Sequence, residues 1–244
     1  GPGGPGGAGV GRPPSGRYDR GGVRRRAVAP ARKNLTVDRS DPPRASPRPL
    51  RSDRRAKSAR LLEVAARLFH AKGYSATSIR DLAKALGLEP ASLYHYMDSK
   101  EALLYEIARR CQERMLDAVE PVVASPKPAL EKLREFVTVH VRGMLQDRDA
   151  YAVLLSEMKS LSGPRRAALV RLRDAYEERL VRLLEEGQAQ GVVRSDVPAR
   201  TLRLALLNLL NWTLYWYRPE GPLSPEALAE LLTSVFLDGV RPRS

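Results

Sequence analysis

Residues 78–97, SIRDLAKALGLEPASLYHYM, hold two apolar-periodic stretches that are too short to stand alone. Each spans about two helical turns, a length that is marginal in water without packed partners. Gly87 separates them and suits the left-handed turn that ends a helix. Two such helices, locked at a fixed angle by a tight turn, form the helix-turn-helix plan. The spacing turns Leu93 and Met97 inward and points Ala91, Ser92, Tyr94 and His95 outward, with Tyr96 along the flank. Ala83, four residues before Gly87, lets the two helices approach closely.

The flanking sequence supplies the packing partners. Leu62, Ala65, Ala66 and Phe69 follow the i, i+3, i+4, i+7 pattern of an amphipathic helix that Gly73 ends. Ser78 with Asp81 reads as a capping box, and the next inner face is Ile79, Leu82, Ala83 and Leu86. Pro90 suits the first position of the third helix. Asp98 with Glu101 predicts the cap of a fourth, striped by Leu104, Ile107, Ala108, Cys111 and Met115 and closed by Pro121. Further helices are expected near 128–146, 148–161, 164–190, 199–217 and 224–239. No sustained alternation marks a strand, and no fixed repeat appears. The expected fold is all-α, with about nine helices. A three-helix helix-turn-helix domain occupies 55–101, and a helical ligand-binding and dimerisation bundle occupies 102–244.

Residues 1–54 are rich in Gly, Pro and Arg and carry no periodic apolar face, so a disordered arm is expected. GPGGAG at 4–9 fits a nucleotide-loop pattern but has no strand before it and no helix after it. The formal net charge is +14, and of the 42 Lys/Arg and 28 Asp/Glu, residues 1–57 hold 15 and 4. The high charge is therefore mostly a property of the arm, and a sequence-blind polyanion binder is one alternative reading. The apolar stretch 201–217 is interrupted by Arg203, Asn208 and Asn211 and is short for a bilayer span of about 20 residues, so no membrane partner is expected. One cysteine and no secretory pattern suit a cytoplasmic protein. His70, His95 and His140 are scattered, and Cys111 lies in an apolar stripe. Paired carboxylates, metal-ligand spacing and a phosphate loop are all missing, so neither an enzyme nor a resident cofactor or metal is expected.

A helix carried clear of the body by two packed partners fits a major groove about 12 Å wide. Ser92 and Tyr94 are placed to reach base edges, and His95, Tyr96 and Lys100 to reach phosphates. Lys72, Arg80 and Lys84 are further backbone candidates, and Ser78 at a helix N-terminus offers a hydroxyl and an N–H to a phosphate. These residues lie in AARLFHAKGYSATSIRDLAKALGLEPASLYHYMDSKEALL, and residues 55–105 resemble the DNA-binding domain of the TetR family of transcriptional regulators. The carrying features are Phe69, Gly73 and Tyr74 at the helix end, Thr77–Ser78, DLAKALGL and above all LYHYMDSKEALL. The resemblance implies that Ser92 reads bases, that Tyr94, Tyr96 and Lys100 hold phosphates, and that Thr77 belongs to the contact surface. The chain departs from the family at Glu89, usually Ser, and at Ala91, often Gly. An acid at 89 repels a phosphate at that point.

The last two helices carry much apolar surface: Leu202, Leu204, Leu206, Leu207, Leu209, Leu210, Trp212 and Leu214, then Leu228, Leu231, Leu232, Val235 and Phe236. A two-fold homodimer through a four-helix bundle covers such faces, and it also sets two recognition helices about 34 Å apart for a palindromic double-stranded operator. NWTLYWYRPEGPLSPEALAELL (211–232) resembles the C-terminal segment of TetR-family members that respond to acyl-coenzyme A thioesters and control fatty-acid or related degradation genes. That resemblance implies a small-molecule effector of this class. Trp212, Tyr215 and Trp216 are expected to line an apolar tunnel or its mouth, Met115, Met144, Leu155 and Met158 to form inner walls, and Arg109, Arg142 or Lys159 to meet its phosphates. By linkage, such a ligand releases a repressor from its operator. A sensor of drug-like cations is the alternative within the family, and it needs a buried acid, for which Glu157 is the candidate.

Overall fold

The computed structural model describes residues 51–240, with side chains from Arg55 onward. Of the arm expected over 1–54, residues 1–50 lie outside the described residues, and helix begins at Arg51 rather than at Arg55. Among the described residues there are nine α-helices and no strand: α1 Arg51–Lys72, α2 Ile79–Leu86, α3 Pro90–Leu93, α4 Lys100–Ala124, α5 Ala129–Gln146, α6 Arg148–Glu157, α7 Gly163–Ala189, α8 Ala199–Trp216 and α9 Pro225–Val240. A 3-10 turn, Met158–Ser160, follows α6.

The first unit closes as the periodicity demands. Leu61, Ala65, Phe69, Leu82, Ala83, Leu93 and Met97 are buried together with the start of α4. The capping box is present: Ser78 N–H donates to Asp81 Oδ2 at 2.9 Å, and Asp81 N–H donates to Ser78 Oγ at 3.1 Å. Gly87 ends α2 at φ 66°, a backbone that a side chain rarely tolerates. The third helix is shorter than expected. Regular α-helix stops at Leu93, and turns through Tyr96 N–H to Leu93 O (2.8 Å) and Met97 N–H to Leu93 O (3.1 Å) carry the chain onward.

Two expectations for α4 are corrected. Its cap is Ser99, whose Oγ accepts from Ala102 N–H at 3.0 Å, not Asp98. Glu101 is drawn away to α7, where it accepts from the N–H and hydroxyl of Ser162, both at 3.0 Å, and from Arg165 at 3.2 Å. The helix also runs through Pro121 to Ala124. Burial of Val119 and Val122 offsets the one backbone bond that proline removes. α4 thus runs from the recognition segment into the bundle of α4 to α9. No helix among the described residues is long and apolar enough to cross a membrane.

Candidate DNA interface and effector cavity

Leu93 and Met97 anchor the recognition segment inward. Tyr94 is thereby left 57% exposed, beside exposed Ala91 and His95 and half-buried Ser92 and Tyr96. Arg80 and Lys84 are exposed on neighbouring α2, and Glu89 stands exposed at the N-cap of α3. The first described turns of α1 lie alongside: Lys57 and Arg60 share a hollow of about 280 Å³ with Leu88, Leu93 and Tyr96. The surface is therefore cationic at its rim and aromatic at its centre, as phosphate positioning with base contact requires.

Three expected contact residues do other work. Thr77 is fully buried, and its hydroxyl donates to Gly73 O at 2.8 Å and Leu68 O at 3.3 Å. It builds the turn between α1 and α2 and has no face for DNA. Ser78 has its N–H and hydroxyl engaged by Asp81, whose carboxyl is held down at about 2 by those two bonds and by Lys72. Lys100 Nζ donates to Tyr74 O and Thr77 O, both at 2.9 Å, and lies 4.3 Å from the Tyr74 ring centroid. It staples the α1–α2 turn to α4.

Inside the bundle a cavity of about 120 Å³ lies among α4, α6, α7 and α8. Met115, Leu155 and Met158 line it, as expected. The other ligand candidates do not. Met144 is fully buried in the core and receives Thr213 Oγ1 at 3.6 Å. Arg109 is tied to Glu106 and Glu113 at 2.5–3.0 Å along α4. Arg142 is exposed, 3.6 Å from Glu226, and Lys159 is exposed. Trp212 and Tyr215 are 65% and 63% exposed, and Trp216 is exposed beside them. They share an outward face of α8 with Leu204, next to exposed Leu231 and Val235 of α9. Helix α8 is bare on this face, where a two-fold partner is expected. Glu157, the candidate acid for a cation, accepts instead from Tyr74 N–H at 3.2 Å and Ser160 Oγ at 3.0 Å.

The cavity wall is instead a buried polar chain. Tyr151 Oη donates to Asn211 Oδ1 at 2.7 Å, so it accepts from His140 Nε2–H at 3.1 Å. That tautomer leaves His140 Nδ1 to accept from Tyr176 Oη at 2.7 Å. Burial holds the imidazole neutral, with its pKa lowered to about 4. Gln112 of α4 completes the polar lining. Sequence reading passed over these residues because they come from five helices. The available signals were an Asn inside an apolar run and a His on the inner face of α5.

Residues 61–107 match the family described as bacterial regulatory proteins, tetR family, and residues 126–240 match the tetracyclin repressor-like C-terminal domain. The chain belongs to the TetR family of transcriptional regulators. This TetR-family chain is 33% identical over 201 residues to the HTH-type transcriptional repressor KstR2 of Rhodococcus jostii (strain RHA1), covering 82% of this chain and 97% of that one. The TetR-family regulator PfmR of Thermus thermophilus superposes with a TM-score of 0.68 at 40% identity, over 75% of this chain and 100% of that one. AibR in complex with isovaleryl coenzyme A and operator DNA gives a TM-score of 0.68 at 26% identity, over 73% and 97% of the two chains. Both halves of the architecture, the helix-turn-helix unit and the helical bundle, are therefore those of the family.

Proposed function

We infer that this regulator is a homodimeric repressor of a palindromic operator, released when a short-chain acyl-coenzyme A thioester enters the bundle. The observation that carries the reading is the pairing of an exposed Tyr94–His95 surface, with half-buried Ser92 beside it, and a polar-walled cavity through helix α4. Gln112 and Met115 of that helix line the cavity about 18–23 Å along its axis from Lys100. A second connection runs through α6. Its inner face supplies Tyr151, Leu154 and Leu155 to the cavity, while its outer side meets the helix-turn-helix unit through His70–Asp149 (2.7 Å) and Tyr74–Glu157 (3.2 Å). A ligand that favours one placement of α4 and α6 shifts the recognition segments, and DNA weakens ligand binding by the same factor.

Cavity size supports a short acyl group. An apolar protein cavity of about 150 Å³ holds benzene, so the 120 Å³ here suits about five or six non-hydrogen atoms. The coenzyme moiety then stays outside. The AibR complex with isovaleryl coenzyme A supports the ligand class, and the name of KstR2 as a repressor supports the sign of regulation. Fatty-acid or related degradation genes are the regulated set that fits such an effector. A drug-like cation fits less well, because Glu157 and Glu177 are both engaged by donors or arginines. The bare faces of α8 and α9 support a two-fold partner of the same sequence, since large exposed aromatics so grouped mark an interface. The test is selection of duplexes from a random pool, followed by gel shift on the selected palindrome with and without isovaleryl coenzyme A. Weakened binding on addition is expected. Strengthened or unchanged operator binding contradicts the proposal.

A further inference from the structure

Two side-chain amides on the cavity wall carry groups that no described residue pairs. Gln112 is only 5% exposed, lines the cavity and makes no side-chain hydrogen bond among the described residues. The one sealed and unpartnered side-chain polar atom among the described residues is Arg203 Nε, so the Gln112 amide is open to the cavity, where an occupant supplies its partner. Asn211 is the second. Its Oδ1 is fixed by Tyr151, which turns the NH2 group away from the polar chain, and this NH2 has no partner among the described residues. Tyr151 is itself held by His140, and His140 by Tyr176, so the bond to Oδ1 is the end of a continuous buried chain.

The charged residues on the same wall are already neutralised. Glu177 is paired with Arg203 and lies 3.5 Å from Arg173, which also meets Asp174 at 3.3 Å. A ligand bearing a full charge at this depth finds no free opposite charge. An uncharged hydrogen-bond acceptor finds two amides. We propose that the cavity recognises the carbonyl oxygen of a compact, uncharged ligand segment, held by the side-chain amides of Gln112 and Asn211. Thioesters, ketones and amides share that group, whereas thioethers and hydrocarbons lack it. The inference rests on the cavity being the effector site and adds the chemical group that the site reads. Because Gln112 sits on α4, the contact also places the ligand's pull on the helix that begins at the recognition segment.

The test separates this claim from the coenzyme A assignment. Binding to the full chain is measured by ligand-observed NMR for 3-methylbutan-2-one and for 2,3-dimethylbut-1-ene, which replaces the carbonyl oxygen by a methylene at equal size. Isovaleryl coenzyme A and its carbonyl-free thioether analogue are titrated by calorimetry alongside. The ketone is expected to bind roughly tenfold more tightly than the alkene, the range of one or two unmatched buried amides. Gln112→Leu and Asn211→Asp are each expected to shrink that ratio, with circular dichroism checking the fold. Asn211→Asp keeps the size and the acceptor for Tyr151 but lacks the donor, so it tests the hydrogen bond even if the leucine variant misfolds. Equal binding of ketone and alkene, alkene preference, no binding of either, or a ratio unmoved by Asn211→Asp overturns the proposal. A ketone preference together with failure of both coenzyme A compounds supports it, while removing the acyl-coenzyme A assignment.

Discussion

Acidification should weaken this fold through one residue, His140. Its imidazole is buried between Tyr151 and Tyr176, and burial lowers its pKa from 6.5 to about 4. Between those values the unfolded chain binds a proton that the folded chain refuses. The contribution of His140 is therefore complete above pH 6.5 and is lost as the pH falls toward 4. Each unit of displacement corresponds to about 1.4 kcal/mol, so the gap is worth roughly 3 kcal/mol, a large share of a typical domain's stability. The comparison is wild type against His140→Gln, which cannot titrate in this range. Urea unfolding at half-unit steps from pH 7 to 4.5 should show the wild type losing stability more steeply, by about 1.4 kcal/mol per unit below pH 6. Absolute stabilities will differ between the two proteins, so the slope difference is the readout. Parallel slopes, or an NMR titration placing His140 near 6.5, would refute the reasoning that the chain holds a neutral ring.

Two further perturbations test other joints. Lys100→Met strips the ammonium from the Tyr74 and Thr77 carbonyls while keeping the stem, and should cost about 1–3 kcal/mol of stability by chemical denaturation; a change below a few tenths would show that the staple is decorative. Trp212→Glu places a charge on the bare face of α8 and should convert a dimer to monomer in sedimentation velocity while the helical circular dichroism is retained; an unchanged mass would move the interface elsewhere.

Much of the helix-turn-helix unit was legible because its signals are local. The Ser78–Asp81 box, Gly87 and the Leu93/Met97 spacing lie within a few residues of what they control. The α4 cap was not legible in the same way. Asp98 and Ser99 both cap well, and the choice follows from Glu101 being held by Ser162 and Arg165, more than sixty residues away in sequence for both partners. The bonds of Thr77 and Lys100 were not legible for a related reason: their neighbours in sequence face outward, while the backbone oxygens from Gly73 to Thr77 accept from both side chains. The aromatics of α8 show the limit of periodicity, which gives the residues that share a face but not what lies against that face. Trp212 and Tyr215 point outward, while adjacent Asn211 points into the cavity. Gln112, Tyr151, Tyr176 and Asn211 line that cavity with His140 behind the two tyrosines, and no short window of sequence contains such a constellation.

The most direct measurement compares wild type and Tyr94→Ala for binding to a selected palindrome and to random duplex at about 150 mM salt, where unspecific phosphate binding is weak. Tyr94 is exposed, so its loss should leave the thermal midpoint nearly unchanged. The account predicts that wild type prefers the palindrome by about a thousandfold or more, and that the variant loses about tenfold or more of that preference. A wild type indifferent to sequence, or a Tyr94→Ala protein that discriminates as well as the parent, contradicts it.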